Sequence, residues 1–347
     1  MVPLRQFFTP KTQGSIRMKI TNEAGISLPL AVWLLSDDYD YVTGVENYIS
    51  VTSLMKPLRQ IILPGRIPTA DRTSDVQEFI ARKLGHALHD SIEKAWSNPK
   101  QFSRSLQQLG YPKDVVERIK INPTDEERRA SNHMIPVFLE QRALRKLGEY
   151  TIGGKFDMVA DGIVQDTKST SVWGWIKGTR DDEHSLQMSL YRWIDAQQPM
   201  PRIHEDYGVV NYIFTDWSKA MLRTPNYPPQ RVASKNIPLM SLTETEIWIK
   251  HKIDLIQRNT GIPEKQLPRC TDEELWRSAP QYRYFADAEK AKVSGAKSTK
   301  NFDSLSEANG FKAGKGHVGI VITKPGEVKA CAYCQAFDAC TQKDEYV

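Results

Sequence analysis

The chain has 347 residues, 40% of them hydrophobic and 26% charged, with 20 Gly and 20 Pro. This globular balance excludes a disordered or fibrous protein and suffices for one large domain or two of roughly 150 residues each. Its 47 Lys+Arg against 42 Asp+Glu leave a net charge of +5, which permits a polyanionic partner without requiring one. The longest apolar stretch, Ile26 to Leu35, is ten residues interrupted by Ser27 and Pro29, about half of the roughly 20 needed to cross a bilayer. The N-terminus has no continuous apolar run of the secretory kind. No membrane span and a cytoplasmic location are therefore expected.

In chain order, residues 1–75 read as short strands and turns packing on a core, clearest at Ser50 to Leu54, where a strand gives way to a helix before Lys56-Pro57. From Val76 the apolar residues Phe79, Ile80, Leu84, Leu88, Ile92 and Trp96 follow three-and-four spacing, which predicts an amphipathic helix over 76–96. A polar segment with Pro112 and Pro123 precedes a second helix pattern, Met134 to Leu147. Two β-like runs, Tyr150 to Ala160 and Ile163 to Ser169, meet at Asp161-Gly162, a hairpin signal. Helices are predicted over 183–196 and 241–258, and strands at Tyr207 to Thr215 and Val318 to Thr323. Residues 290–316 carry six lysines (290, 292, 297, 300, 312 and 315) against one Asp and one Glu, a basic linker whose lysines would either grip a phosphate backbone or stay solvated. The division expected is an N-terminal segment at 1–75, a core at 76–260 and a cysteine-bearing region at 261–347.

The hairpin carries the chemistry. Asp166 and Lys168 stand two residues apart, so alternation puts both on one face, and a turn pairing Ala160 with Ile163 brings Asp157 opposite Asp166. Two carboxylates that close repel unless a cation lies between them, and oxygen donors so arranged suit Mg2+ or Mn2+. Lys168 would orient or help deprotonate a water while the ion stabilises charge at a phosphate, which is the chemistry of phosphodiester hydrolysis. The plain alternative is a surface hairpin with an ordinary salt bridge.

Gly154-Lys-Phe-Asp157 followed by Asp166-Thr-Lys168 resembles the active-site core of the PD-(D/E)XK nuclease superfamily; the match rests on Asp157, Asp166 and Lys168, because many members have another residue where Gly154 stands. Two flanking features resemble its RecB-type branch. Gly85-x-x-x-His89-x-x-x-Glu93 puts three residues on one helix face, with Gly85 free to let the backbone approach closely; the resemblance implies that His89 is a metal ligand, with His86 as competitor. Gln187-x-x-x-Tyr191 is similarly placed downstream, and the resemblance implies that both line the groove holding the DNA strand. Glu140, on the helix before the hairpin, is a further acidic candidate. Trp173 and Trp175 would either stack on unpaired bases or be buried. The resemblance spans about residues 50 to 340 and implies an α/β fold: a restriction-endonuclease-like core, its mixed central sheet flanked by helices, with a metal-stapled C-terminal extension.

Only four cysteines exist, Cys270, Cys331, Cys334 and Cys340, and clustered cysteines in a reducing compartment are more often metal ligands than disulfides. The C-x2-C-x5-C spacing of the last three resembles the iron-sulfur staple of RecB-type nucleases, which implies a [4Fe-4S] cluster. In those families the lone cysteine precedes the histidine motif, whereas here it would be Cys270, and tetrahedral Zn2+ satisfies four cysteines equally. The layout looks most like bacteriophage-encoded exonucleases. The resemblance thus implies a metal-dependent DNA exonuclease on single-stranded or end-bearing DNA, serving phage or bacterial recombination or replication, with a helicase or recombinase as partner and the host cytoplasm as its location if phage-encoded. His89, Asp157, Asp166 and the Thr167 carbonyl would hold one or two Mg2+ or Mn2+ ions, and the imidazole softens the site so that Mn2+ should serve at least as well as Mg2+. The alternatives are a structure-specific endonuclease, a non-cutting DNA-binding recombination accessory, and a zinc-stabilised module for a helicase.

Overall fold

In a computed structural model of the protein, which describes residues 19–37, 39–68 and 72–346, the chain divides into two units. One joins residues up to Lys56 to Pro68–Thr260; the other joins Pro57–Ile67 to Gly261–Val347. Residues 57–67, read from sequence as part of the N-terminal segment, thus lie with the cysteines. Residues 1–18 of that segment fall outside the described residues.

The strands of the first unit are β1 (Lys19–Thr21), β2 (Tyr48–Ser50), β3 (Thr73–Asp75), β4 (Ile119–Ile121), β5 (Ile135–Leu147), β6 (Tyr150–Ala160), β7 (Ile163–Thr170), β8 (Tyr207–Phe214) and β9 (Val232–Pro238). Seven form one mixed sheet in the order β4-β5-β6-β7-β8-β9, with β2 beside β6. Asp161 (φ 52°) and Gly162 (φ 78°) both adopt the left-handed conformation that a two-residue hairpin turn needs. The turn fixes Ala160 opposite Ile163 and Met158 opposite Gln165. Beyond that point the hairpin opens. From Gln165 onward β7 runs parallel to β8, while β2 takes the same edge of β6 only at Thr151–Gly153. Among the described residues no strand pairs with 154–157 on that edge, which leaves a notch in the sheet at Asp157.

Two helices flank the notch. Asp75 and Glu78 form a capping box ahead of the helix Ile80–Ser97. The helix Asp181–Asp195 buries Met188, Leu190, Trp193 and Ile194 completely against the sheet. Its end is fixed because Asp195, fully buried, pairs with Arg202 at 2.7 Å and accepts the Ile203 N–H at 2.9 Å. Trp193 donates its indole N–H to Glu246 at 3.2 Å, and the Arg145 guanidinium lies 3.8 Å over its ring.

Several expectations change. Met134 to Leu147 is not a helix: Ile135–Leu147 is a strand, paired with β6 from Val137 to Leu147. Its apolar spacing fits both periods, and the β-favouring Ile135, Val137 and Phe138 gain a partner strand, which overrides local propensity. The strand-to-helix transition expected near Ser50 is present, with β2 ending at Ser50 and that residue capping the helix Val51–Leu54; the helices Leu28–Leu35 and Leu58–Ile62 were not foreseen. The polar segment 97–133 holds three unforeseen helices, Pro99–Gln108, Lys113–Arg118 and Asp125–Ala130.

In the second unit, β10 (Gln281–Phe285), β11 (Lys300–Phe302) and β12 (Ile320–Lys324) form a three-stranded sheet in the order β11-β10-β12. The helix Leu305–Gly314 covers it, with the Phe311 ring edge-on to Tyr284 at 5.2 Å. The basic stretch is therefore folded structure and not a linker. Lys300 lies over the rings of Phe302 and Phe311 at 5.0 and 4.8 Å. Among the described residues no helix is long and apolar enough to cross a membrane.

Candidate active site

The notch gathers the sequence-predicted residues from three elements. Asp157 stands on β6 and Asp166 and Lys168 on β7; His89 comes from the helix Ile80–Ser97. His89 Nδ1 is 3.1 Å from Asp157 Oδ2, and the same oxygen accepts the Thr167 backbone N–H at 3.3 Å. This bond spans the point where β6 and β7 part. Lys168 Nζ donates to Asp166 Oδ1 at 2.9 Å. The ammonium is also 2.8 Å from Oδ2, but without hydrogen-bond geometry, so this buried oxygen accepts no directed bond from any described group.

Charge and burial pull these groups in opposite directions. Asp166 is 4% exposed, and burial pushes its carboxyl up to about 6 against the attraction of Lys168. His89 is raised, first by its hydrogen bond to Asp157 and against the effect of burial. A buried carboxylate oxygen that an ammonium neutralises without a directed hydrogen bond keeps its lone pairs open. Beside a second carboxylate and an imidazole, it fits a hard divalent cation such as Mg2+ or Mn2+. His86, the competitor, stacks on Tyr39 at 6.2 Å and is not in the cluster. Gly85 does not serve close approach, because nothing lies within 4 Å of where its Cβ would be.

The close approach occurs instead at Gly154. A Cβ there would stand 2.6 Å from Tyr191 Cε1 and 3.1 Å from Val51 Cγ2. Tyr191 is 6% exposed, and its hydroxyl accepts from Gln187 Nε2 at 3.1 Å. Burial, followed by Asp157 and Asp166, raises the Tyr191 hydroxyl, so it stays protonated. Gln187 is the more accessible member of the pair. The tryptophans divide: Trp173 is exposed, while Trp175 packs edge-on against Tyr212 at 5.1 Å.

Sequence reasoning ranked Glu140 low and missed Lys155. Glu140 lies on β5, in the position that faces Asp157 between the pairs Leu139–Met158 and Gln141–Phe156. Its φ of 51° is left-handed, a conformation that costs a residue with a Cβ about 1–3 kcal/mol and that collects at functional sites. Ligand atoms of His89, Glu140 and Asp157 all lie within 4.8 Å of one another. Lys155 Nζ holds Glu140 Oε2 at 2.7 Å. The signal was available, since Lys155 is two residues before Asp157 and alternation puts both on one face.

In the second unit Cys270, Cys331, Cys334 and Cys340 line a common cavity with Arg59, Glu274, Phe337 and Gln342. Arg59 is 4% exposed. It donates to Cys340 Sγ at 3.3 Å, to the Leu267 carbonyl at 3.0 Å and to the Pro268 carbonyl at 2.9 Å, and is paired with Glu264. Burial pushes the Cys270 thiol up to about 12. Four cysteines around one cavity, with a guanidinium donating to one sulfur, fit a group that binds as a thiolate cage.

No protein-family model matches the chain, and no curated protein does. Solved structures similar to parts of it include the following two. SSO0001 shares 19% identity at a TM-score of 0.37 over 69% of this chain and 90% of its own. A phage-related exonuclease from Haemophilus somnus 129PT shares 16% identity at a TM-score of 0.23 over 34% of this chain and 56% of its own. Likenesses this distant assign no family.

Proposed function

We propose that the protein is a metal-dependent DNA exonuclease of the PD-(D/E)XK, RecB type, acting on single-stranded or end-bearing DNA. The observation that carries this reading is the grouping of His89, Glu140 and Asp157 ligand atoms within 4.8 Å of one another, with the Asp166–Lys168 pair close enough to act on His89 electrostatically. A divalent cation held by His89, Asp157, Asp166 and the Thr167 carbonyl would supply charge stabilisation at the phosphate and the leaving oxygen. Lys168, paired with Asp166, positions the attacking water. Thr167 and His89 fix the Asp157 carboxylate from two sides. The Gln187 amide, held by its bond to Tyr191, would steer a strand toward the notch. The four cysteines are proposed to hold a [4Fe-4S] cluster; absorption near about 400 nm, against a stoichiometric zinc content without colour, separates cluster from zinc. Recombination or replication in a phage or bacterial cytoplasm, with a helicase or recombinase as partner, is the setting this chemistry suits.

The test is digestion of end-labelled linear and circular single-stranded DNA with Mn2+ or Mg2+ by anaerobically prepared protein, beside Lys168→Ala. Degradation of the linear substrate by the parent alone supports the exonuclease. Cutting of the circle shifts the assignment to an endonuclease on the same site. Equal cutting by both proteins, or none by either with DNA still bound, overturns the reading, and the second of these outcomes leaves a DNA-binding accessory.

A further inference from the structure

The notch holds more charge than one cation ligand set uses. Glu140 and Lys155 are joined on the same face as Asp157. Glu93, one turn after His89 on its helix, is close enough to act on both of them electrostatically. Among the described residues, the carboxylates that bring ligand atoms into the group around His89 are those of Glu140 and Asp157.

We propose, on the cation reading above, that Glu140 is a further cation ligand and that Lys155 is its placeholder. Without the ion, the Lys155 ammonium occupies the Glu140 carboxylate; when the ion enters beside His89 and Asp157, Glu140 passes from the ammonium to the metal. Two features favour this over a structural ion pair. The left-handed backbone at Glu140 turns the residue toward the one position of β6 that neither flanking ladder pairs. Moreover, a carboxylate held by a single lysine keeps three lone pairs open to a cation.

The experiment is Mn2+ binding by titration calorimetry and by the loss of free-Mn2+ EPR signal, on the full chain with its cysteine site loaded. It compares the parent with Glu140→Gln, Lys155→Met, the double variant, Glu93→Gln and Asp157→Asn, each checked for an unchanged circular-dichroism melt. Glu140→Gln should weaken Mn2+ at least tenfold and Glu93→Gln by no more than threefold, which separates ligation from charge alone. Lys155→Met should tighten Mn2+ severalfold, and the double variant should show none of that gain because the carboxylate being released is gone. An affinity for Glu140→Gln within twofold of the parent, or equal losses for Glu140→Gln and Glu93→Gln, overturns the proposal while leaving Asp157→Asn to report on the site itself. A parent that binds no Mn2+, or binds it as well after Asp157→Asn, overturns the function and this inference together.

Discussion

Asp166 costs the free protein stability. Its carboxyl is raised to about 6 by burial, so its contribution to folding is full below the unfolded value and is lost as pH climbs through 6. At pH 8 that loss is at most about 3 kcal/mol. Asp166→Asn should therefore raise the melting temperature of the cation-free protein at pH 8, measured by calorimetry in chelator, while abolishing cutting. Lys168, partly exposed, can turn to water when its partner is neutralised. Added Mn2+ should stabilise the parent and not the variant. An unchanged or lowered melting temperature would mean that the carboxylate is not strained in the free state. His184 works in the opposite sense. It is 4% exposed, its Nδ1 has no hydrogen-bond partner, and burial lowers it to about 4. The unfolded chain takes up this proton first as pH falls, so stability drops between about pH 6.5 and 4, by up to about 1.4 kcal/mol per pH unit. His184→Phe should flatten this acid limb in urea titrations at pH 4.5 and 7, and an unaltered limb would assign it to other groups.

Among the elements, the notch depends on Gly154 as much as on the acidic residues. A methyl group there meets the Tyr191 ring at 2.6 Å in a fully packed layer, so Gly154→Ala should cost about 1–3 kcal/mol. It should also lower turnover more than it raises KM, because Tyr191 and with it Gln187 must shift. A urea midpoint within error of the parent's would show that the ring moves freely. The hairpin was legible because Asp161-Gly162 dictates one turn and one register; the expected pairing of Asp157 with Asp166 does not form, because the ladder ends at Met158–Gln165 and the two carboxylates flank the opening. The strand Ile135–Leu147 was not legible, since its apolar residues fit period 3.6 as well as period 2 and the choice is made by ten paired positions on β6. Gly85 illustrates a motif read correctly in spacing and wrongly in mechanism: the glycine that admits a neighbour is Gly154, whose contact with Tyr191 joins residues far apart in sequence. Glu140 was undervalued for the same reason as its strand, because a residue read on a helix has no cross-strand partner.

At the scale of the molecule, a metal held by the four cysteines, as proposed above, would make the second unit's fold conditional on it. Structural metal sites in zinc peptides contribute on the order of 10–16 kcal/mol, comparable with the roughly 5–15 kcal/mol that holds an ordinary domain together. Oxidative loss or chelation of the cysteine-bound metal should therefore abolish the thermal transition of residues 261–347 and leave that of the sheet bearing Asp157 and Asp166 in place. Differential scanning calorimetry with iron and zinc analysis measures both, and a single transition that survives metal loss would show that the cavity needs no metal to fold. Arg59→Met should speed metal release without changing the number of metal atoms first bound.

Arg59 reaches Cys340 across 281 positions of sequence. During synthesis the segment carrying Arg59, with its buried Leu58, Ile62 and Leu63, leaves the ribosome long before its partners exist. For most of translation that apolar segment has no native place to go. An early segment therefore waits for the last cysteine of the chain before its buried guanidinium meets all of its partners.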